Sequence, residues 1–252
     1  MSRIDEIFSK NNKALIPFLV AGFPSIESTE GAIIAMDEAG ADIIEIGIPF
    51  SDPIADGPVI AAAMHEALCN DIAPADTIGI VARIREKISA GLIAMVSDSI
   101  VRKSGGTAFL DRLVEAGFDG IIIPDIDDLD AVHMSTYCEG CGLSFSMLVS
   151  PTTPVERIKW LASISTGFLY ILARVGLTGE QTAPPDISGR IAEIRSLTDL
   201  PLAVGFGIST RDHVLNVTKS ADAAIVGSAL VRRMSDAKDP VLAAREFVFE
   251  LL

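Results

Sequence analysis

The sequence has little of what marks nucleic-acid-binding, secreted or membrane proteins. Basic residues are scarce: 20 Lys and Arg stand against 34 Asp and Glu in 252 residues, and they form no cluster. Nucleic acid is therefore not an expected partner, because binding it depends on neutralising phosphates with Lys and Arg. No apolar run reaches the roughly 18 residues of a membrane span, and the first stretch, MSRIDEIFSKNNK, has no signal-peptide core. We expect no membrane association and a cytoplasmic location.

Thiol and imidazole groups are also few. The cysteines are Cys69, Cys138 and Cys141; the last two form CEGC, but no second pair or histidine follows at zinc spacing. The three histidines fall on predicted helices without the spacing of a ligand pair. We expect reduced thiols and no metal site.

What the chain does have is a regular alternation of short apolar, β-prone runs with helical segments. The runs predict eight strands, at 14–22, 42–48, 91–97, 120–125, 143–150, 167–173, 201–207 and 223–230. Eight such strands at this length predict an α/β fold, a (β/α)₈ TIM barrel forming a single domain over residues 1–252. An open doubly wound sheet is the alternative, but no glycine-rich dinucleotide fingerprint follows the first strand.

A carboxylate interrupts the second predicted strand, in the stretch IIEIGIPFSDPIADGP. Side chains alternate along a strand, so Ile44, Ile46 and Ile48 form one face while Glu45 and Gly47 form the other. The isoleucine face suits packing against outer helices, which turns Glu45 toward the barrel interior, with Gly47 leaving the space above it empty. A structural carboxylate is the other interpretation, but the predicted strands supply no Lys or Arg partner. Glu45 is therefore a candidate acid–base group whose pKa burial should raise.

The loop after this strand is stiff and acidic. Prolines 49, 53 and 58 restrict its backbone, and it carries Asp52 and Asp56 over the same mouth of the barrel. Residue physics leaves open which of the two acids takes part in chemistry.

Glycines end the seventh and eighth predicted strands, in VGFGIST and IVGSALV. In this fold the loops at those two positions frequently bind phosphate, through backbone N–H groups at helix N-termini. The alternative is that the glycines only end strands. Candidate phosphate contacts are Gly207, Ile208, Ser209, Gly227 and Ser228, and Thr178 and Gly179 belong to a predicted lid after the sixth strand.

The rest of the predicted mouth is apolar or aromatic, being lined by Phe18, Ile60, Tyr170, Phe206 and Ile225. A site with an acid on one side and a phosphate-binding corner on the other suits a phosphate ester with an apolar or aromatic far end.

The stretches ALIPFLVAGFP, EIGIPFSDPIADGP, RVGLTG, GFGIS and VGSALV occur in this order, and they resemble the tryptophan synthase α subunit family over nearly the whole chain. The resemblance implies a retro-aldol cleavage of indole-3-glycerol phosphate to indole and glyceraldehyde 3-phosphate. It implies that Glu45 moves the protons and that Asp56 accepts a hydrogen bond from the indole N–H. It further implies phosphate binding by Gly179, Gly207, Gly227 and Ser228, and an indole pocket that includes Phe18, Tyr170 and Phe206.

The resemblance also implies a partner. Family α subunits need no metal or cofactor; the β subunit carries pyridoxal phosphate and receives indole through a tunnel, in an α₂β₂ complex. Asp52 and Pro53 match the loop that meets the β subunit.

The chain departs from the family pattern at several positions near the acids. Ser97 and Ser99 stand where a tyrosine and an asparagine are usual, and Val20 where a threonine is common. These departures motivate an alternative: a catalytically weak α-like subunit that mainly activates the β subunit. An isomerase or synthase of other phosphorylated intermediates on the same scaffold is a further alternative.

Overall fold

The computed structural model describes residues 2–10, 13–53, 56–173, 187–205 and 207–252. All strand pairings in these residues are parallel, in the order β5-β4-β3-β2-β1-β9-β8-β7-β6. The strands are β1 (Ala14–Val20), β2 (Ile43–Gly47), β3 (Gly91–Met95), β4 (Gly120–Ile122), β5 (Ser144–Phe145), β6 (Leu148–Val149), β7 (Leu169–Leu172), β8 (Leu202–Gly205) and β9 (Ala223–Val226).

The two ends of this strand order are neighbours in the chain, which closes the sheet into a barrel. Ser144 of β5 pairs with Gly120, and Leu148 of β6, four residues later, pairs with Tyr170. The barrel prediction is thus confirmed and the open sheet is excluded. The predicted fifth strand, 143–150, is wrong in one respect: it is split in two. Between its halves, the N–H of Met147 donates to the Ser165 hydroxyl at 3.3 Å instead of to a neighbouring strand.

Helices connect the strands and surround the barrel. They are α1 (Arg3–Lys10), α2 (Ile26–Glu38), α3 (Pro58–Cys69), α4 (Pro74–Ile84), α5 (Asp98–Lys103), α6 (Thr107–Ala116), α7 (Asp128–Cys141), α8 (Val155–Ile164), α9 (Ser188–Arg195), α10 (Arg211–Val217), α11 (Ser228–Asp236) and α12 (Pro240–Leu251), with a 3₁₀ turn at Arg85–Lys87. Within the described part of the chain, none of these helices is long and apolar enough to cross a membrane.

The alternation along β2 divides the core as expected. Ile44 and Ile46 pack outward in one buried cluster with Met36 of α2 and Ile80 of α4. Ile43, on the opposite face, belongs to a second cluster inside the barrel. Ile4 of α1 joins that inner cluster and covers the N-terminal end of the barrel. Packing at that end leaves the C-terminal mouth as the place where a ligand can enter.

Aspartates tie the N-terminal ends of the strands together. Each stands just before a strand and accepts the N–H of a neighbouring strand: Asp42 from Leu15 at 2.9 Å, Asp119 from Leu92 at 2.8 Å and Asp222 from Leu202 at 2.7 Å. Asp119 also accepts from Arg85 and Arg3, each at 3.1 Å. These bonds hold the strands together at the end of the barrel opposite the mouth, so we expect these aspartates to serve stability and not catalysis.

Candidate active site

A cavity of about 350 Å³ opens at the C-terminal mouth of the barrel. Its walls come from the ends of most strands and from the loops that follow them. The sequence-predicted residues that line it are Phe18, Glu45, Asp52, Pro53, Asp56, Ile60, Tyr170, Gly207, Ile208, Ile225, Gly227 and Ser228. Residues predicted from separate stretches of the chain are thus brought to one place.

Glu45 lies at the inner end of the cavity. It is only 1% exposed, and neither carboxyl oxygen has a hydrogen-bond partner among the described residues. Burial raises the pKa of Glu45 to about 8, with a smaller contribution from the negative charge of Asp56. A buried acid without a structural partner is a group available for proton transfer near neutral pH.

Asp56 faces the same cavity from the loop after β2. Its backbone N–H donates to the carbonyl of Pro53 at 3.1 Å. Burial raises the pKa of Asp56 to about 6. The lower pKa means that Asp56 loses its proton while Glu45 is still neutral, so Glu45 experiences the charge of Asp56 but not the reverse. Between these two values the cavity holds one neutral acid and one carboxylate.

Tyr170 of β7 belongs to the same electrostatic group. The side chain is buried, and burial together with the charges of Glu45 and Asp56 raises the pKa of its phenol. Gly205 on β8 gives this side chain its space, since a Cβ there would lie 2.5 Å from the Tyr170 Oη. The phenol therefore remains protonated and adds a polar group to an apolar wall.

The glycine-bounded corner is formed where β8 and β9 end. Gly207 has a φ of +83°, a left-handed conformation that favours glycine. β9 ends at Val226, earlier than the predicted 223–230, and Ser228 is already the first residue of α11. Gly227 and Ser228 thus place the N-terminus of α11 at the cavity, where backbone N–H groups favour an anion.

Ser209 is positioned differently from the other predicted phosphate residues. It is half-buried and does not line the cavity, although Ile208 beside it does. The helix that follows starts only at Arg211, because the Thr210 side chain caps it by accepting from the His213 N–H at 3.3 Å. Thr178, Gly179 and Phe206, which are also predicted site residues, lie outside the described residues.

Several lining residues are absent from the sequence-based selection. They include Met64, Met95, Ser97, Asp125 and Leu148. Strand register, which the sequence does not reveal, places two of them at the mouth. Met95 pairs with Gly47, and Leu148 pairs with Tyr170. Asp125 is fixed by the Ser97 hydroxyl at 2.7 Å and the Asp98 N–H at 2.8 Å. That contact joins the loops after β3 and β4 into one wall.

The expectation that Gly47 leaves empty space above Glu45 is wrong. The ring of Phe18 occupies that space, because a Cβ on Gly47 would lie 2.6 Å from the Phe18 Cζ. The glycine makes room for a neighbouring aromatic side chain and not for a ligand.

The cavity wall is acidic. Glu45, Asp52, Asp56 and Asp125 contribute carboxyl groups, whereas its described lining includes no Lys or Arg. An anionic ligand must therefore be held by backbone N–H groups and helix ends. Within the described ranges, no three His, Cys, Asp or Glu side chains are arranged to hold a metal ion.

Known proteins resemble this chain over nearly its whole length. The family model described as "Tryptophan synthase alpha chain" matches residues 4–248. The tryptophan synthase alpha chain of Prochlorococcus marinus (strain MIT 9313) is 39% identical over 247 residues, covering 97% of this chain and 90% of the relative. That of Chloroflexus aggregans (strain MD-66 / DSM 9485) is 42% identical over 240 residues, covering 93% and 90%.

Solved structures agree as well. Tryptophan synthase from M. tuberculosis in its aminoacrylate-bound form superposes with a TM-score of 0.89 at 30% identity, over 100% of this chain and 98% of the other. The tryptophan synthase A-subunit from the hyperthermophile Pyrococcus furiosus superposes with a TM-score of 0.89 at 32% identity, over 96% and 98%.

Proposed function

This chain belongs to the tryptophan synthase alpha chain family, and we propose that its cavity performs the family's reaction through Glu45 and Asp56. The chain is a carbon–carbon lyase of tryptophan biosynthesis that cleaves indole-3-glycerol phosphate to indole and glyceraldehyde 3-phosphate. The observation that supports the proposed roles is the pair of acids in one cavity: Glu45, which is buried without a hydrogen-bond partner among the described residues, and Asp56, which lines the same cavity.

The reaction needs one proton delivered and one removed. The ring carbon that carries the side chain gains a proton, and the carbinol hydroxyl next to it loses one as the C–C bond breaks. The bonding electron pair returns to the indole ring, and the carbinol carbon becomes the aldehyde. With a pKa of about 8, Glu45 is mainly neutral at pH 7 and can give the first proton. It then takes the hydroxyl proton and ends the cycle in its starting state.

Asp56 serves as the fixed anion. With a pKa of about 6 it is mainly ionised at pH 7, so it can accept a hydrogen bond from the indole N–H. Protonation of the ring carbon puts positive charge on the ring nitrogen, and a nearby carboxylate stabilises that charge in a buried site. The two acids thus take different parts because their pKa values differ.

Binding is divided between the two sides of the cavity. Gly207 in the loop after β8, and Gly227 and Ser228 at the start of α11, hold the phosphate with backbone N–H groups, since the described wall offers no basic side chain. Phe18, Ile60, Tyr170 and Ile225 enclose the indole. Gly179 and Phe206 share these tasks by family resemblance.

The partner and setting follow from the family. We propose that a tryptophan synthase β subunit, which carries pyridoxal phosphate, binds the mouth and receives the indole, in an α₂β₂ assembly. The exposed Asp52 and the half-buried Pro53 belong to the loop assigned to that contact. The chain itself needs no cofactor in this proposal. A cytoplasmic location and a single domain over residues 1–252 stay predictions.

The test is indole release from indole-3-glycerol phosphate by the purified chain, with and without its cognate β subunit. Glu45→Gln should lower kcat roughly 10²- to 10⁴-fold, the usual contribution of general acid–base catalysis. Glu139→Gln is the control, because Glu139 is an exposed acid on α7, outside the cavity. Wild-type kinetics in Glu45→Gln would refute the assigned role.

Gly207→Val tests the phosphate corner. A valine cannot easily adopt a φ of +83° and would project into the binding site. We expect mainly a higher KM, and an unchanged KM would contradict the assignment. If wild-type protein activates the β subunit yet releases no indole, the chain is the catalytically weak activator instead.

A further inference from the structure

The ring of Phe18 stands where residue 47 would carry its side chain. A Cβ on Gly47 would lie 2.6 Å from the Phe18 Cζ and 2.8 Å from its Cε2, closer than real Cβ contacts. Phe18 is the register partner of Glu45 on the neighbouring strand. Glu45 and Gly47 face the same side of β2, with Gly47 nearer the mouth. The ring therefore reaches from β1 to the backbone of Gly47 on β2, two residues closer to the mouth than Glu45.

Apolar neighbours hold the ring in this place. Phe18 is 4% exposed and packs in one cluster with Val20, Ile60, Met64 and Val231. On its other side the ring borders the cavity, because Phe18 is one of the residues that line it. A side chain added at position 47 would therefore push the ring away from β2 and into the cavity.

We propose that Phe18 is a positioning residue whose ring, seated on the bare backbone of Gly47, keeps water from the Glu45 carboxyl group. Residue 47 is a glycine because the Phe18 ring occupies the space that a larger side chain would fill. The inference rests on the proposed function, in which Glu45 transfers the protons, and it explains how β1 creates the environment of an acid on β2. Neither Phe18 nor Gly47 exchanges a proton in this arrangement.

Other titratable groups in the cavity bear on the test. Asp56 acts on Glu45 through its charge, and Tyr170 has its own pKa raised by both acids. Asp52 and Asp125 line the same cavity, whose described wall has no basic side chain. Burial is the larger cause of the raised pKa of Glu45. Admitting water should therefore lower that pKa even while Asp56 keeps its charge.

The first test measures Glu45 directly. The chemical shift of its carboxyl carbon is titrated by NMR in the wild type, in Phe18→Leu and in Gly47→Ala. We expect both variants to lower the pKa of Glu45 by about one unit or more, within the range that burial produces. Gly140→Ala is the matched control, because a Cβ at that helical glycine would have no atom within 4 Å apart from its chain neighbours and the backbone of its own helix. A pKa in Phe18→Leu equal to that of the control would overturn the proposal.

The second test measures the contact between the two residues. Gly47→Ala should lower kcat for indole release about tenfold to hundredfold, as displacements near 1 Å at a reacting centre do. The Phe18→Leu variant lacks the clashing ring atoms. In that variant, adding Gly47→Ala should lower kcat less than about threefold. An equal loss in both backgrounds would mean that the ring is not the cause.

The two tests keep this inference separate from the proposed function. A wild-type protein that releases no indole under any condition would refute the lyase assignment. The NMR titration would then still decide whether the ring shields Glu45. If Gly47→Ala does not fold, Phe18→Leu alone decides the titration result.

Discussion

Replacing Glu45 with glutamine should stabilise the protein at neutral pH while removing its activity. The pKa of Glu45 is about 8 in the folded chain, against an ordinary value of 4.5 that applies when it is unfolded. At a pH between these two pKa values, Glu45 has released its proton in the unfolded chain but has kept it in the folded chain. Stability therefore falls as pH rises through this interval. Glutamine has no proton to lose, and it resembles the neutral acid in size and polarity.

The magnitude follows from the width of the interval. Each unit of pKa difference corresponds to about 1.4 kcal/mol, so Glu45 lowers the free energy of unfolding by about 3 kcal/mol at pH 7. The same calculation gives about 1 kcal/mol at pH 5.5 and about 4 kcal/mol at pH 8. Glu45 is buried, so water does not screen this effect as it would at an exposed site.

Urea unfolding at pH 5.5, 7 and 8 measures this difference. The advantage of Glu45→Gln over the wild type should grow by about 3 kcal/mol across the series. Glu139→Gln, which changes an exposed acid, should show no such growth. An advantage that is the same at every pH would refute the reasoning, because a packing effect would not depend on pH. No advantage at pH 8 would mean that the carboxylate is solvated in the folded protein.

Three further outcomes follow from the same structure. The pH profile of kcat/KM for indole release should be bell-shaped. It should rise near pH 6 as Asp56 ionises and fall near pH 8 as Glu45 loses its proton. A flat profile over pH 5–9 would contradict the roles assigned to Glu45 and Asp56. Asp56→Asn should remove the acidic limb and lower kcat, and a variant that kept the full acidic limb would assign it to another group. Asp119→Ala should lower the free energy of unfolding by about 2–4 kcal/mol, because it removes the partner of the half-buried Arg85 and an acceptor for a strand N–H. Urea unfolding checks this last value against Glu139→Ala, and equal stabilities would show that the N-terminal aspartates do not hold the strands.

Local sequence pattern was sufficient to predict the barrel strands and to single out Glu45, which the structure places at the cavity. Glu45 stands out because a carboxylate in an apolar strand needs a reason, and the alternation around it assigns its face without any structure. Eight β-prone runs separated by helical segments predicted the barrel, which is confirmed. The same reasoning failed at 143–150, where the hydroxyl groups of Ser165 and Thr166 accept the N–H groups of Met147 and Phe145 and interrupt the strand. Those partners lie about twenty residues away, beyond any local pattern.

Local pattern also failed to identify some of the residues that line the cavity. Met95 and Leu148 are ordinary apolar residues in the sequence, and only strand register places them beside Gly47 and Tyr170. Ser209 follows a glycine-rich strand end and was therefore expected at the cavity. It does not line it, because the Thr210 cap starts the next helix further along the chain.

Residue order alone indicates which strand carries Glu45, which strand ends carry glycines and which family the chain resembles. These properties depend on residue type and on spacing within one stretch of chain. Only the folded structure shows that residues after β2, β8 and β9 line one cavity, and that the Phe18 ring fills the place of a side chain at Gly47. It also decided that Glu45 and Asp56 have different pKa values. The physical reason is that burial and charge are properties of neighbours in space, and the neighbours of Glu45 come from separate parts of the chain.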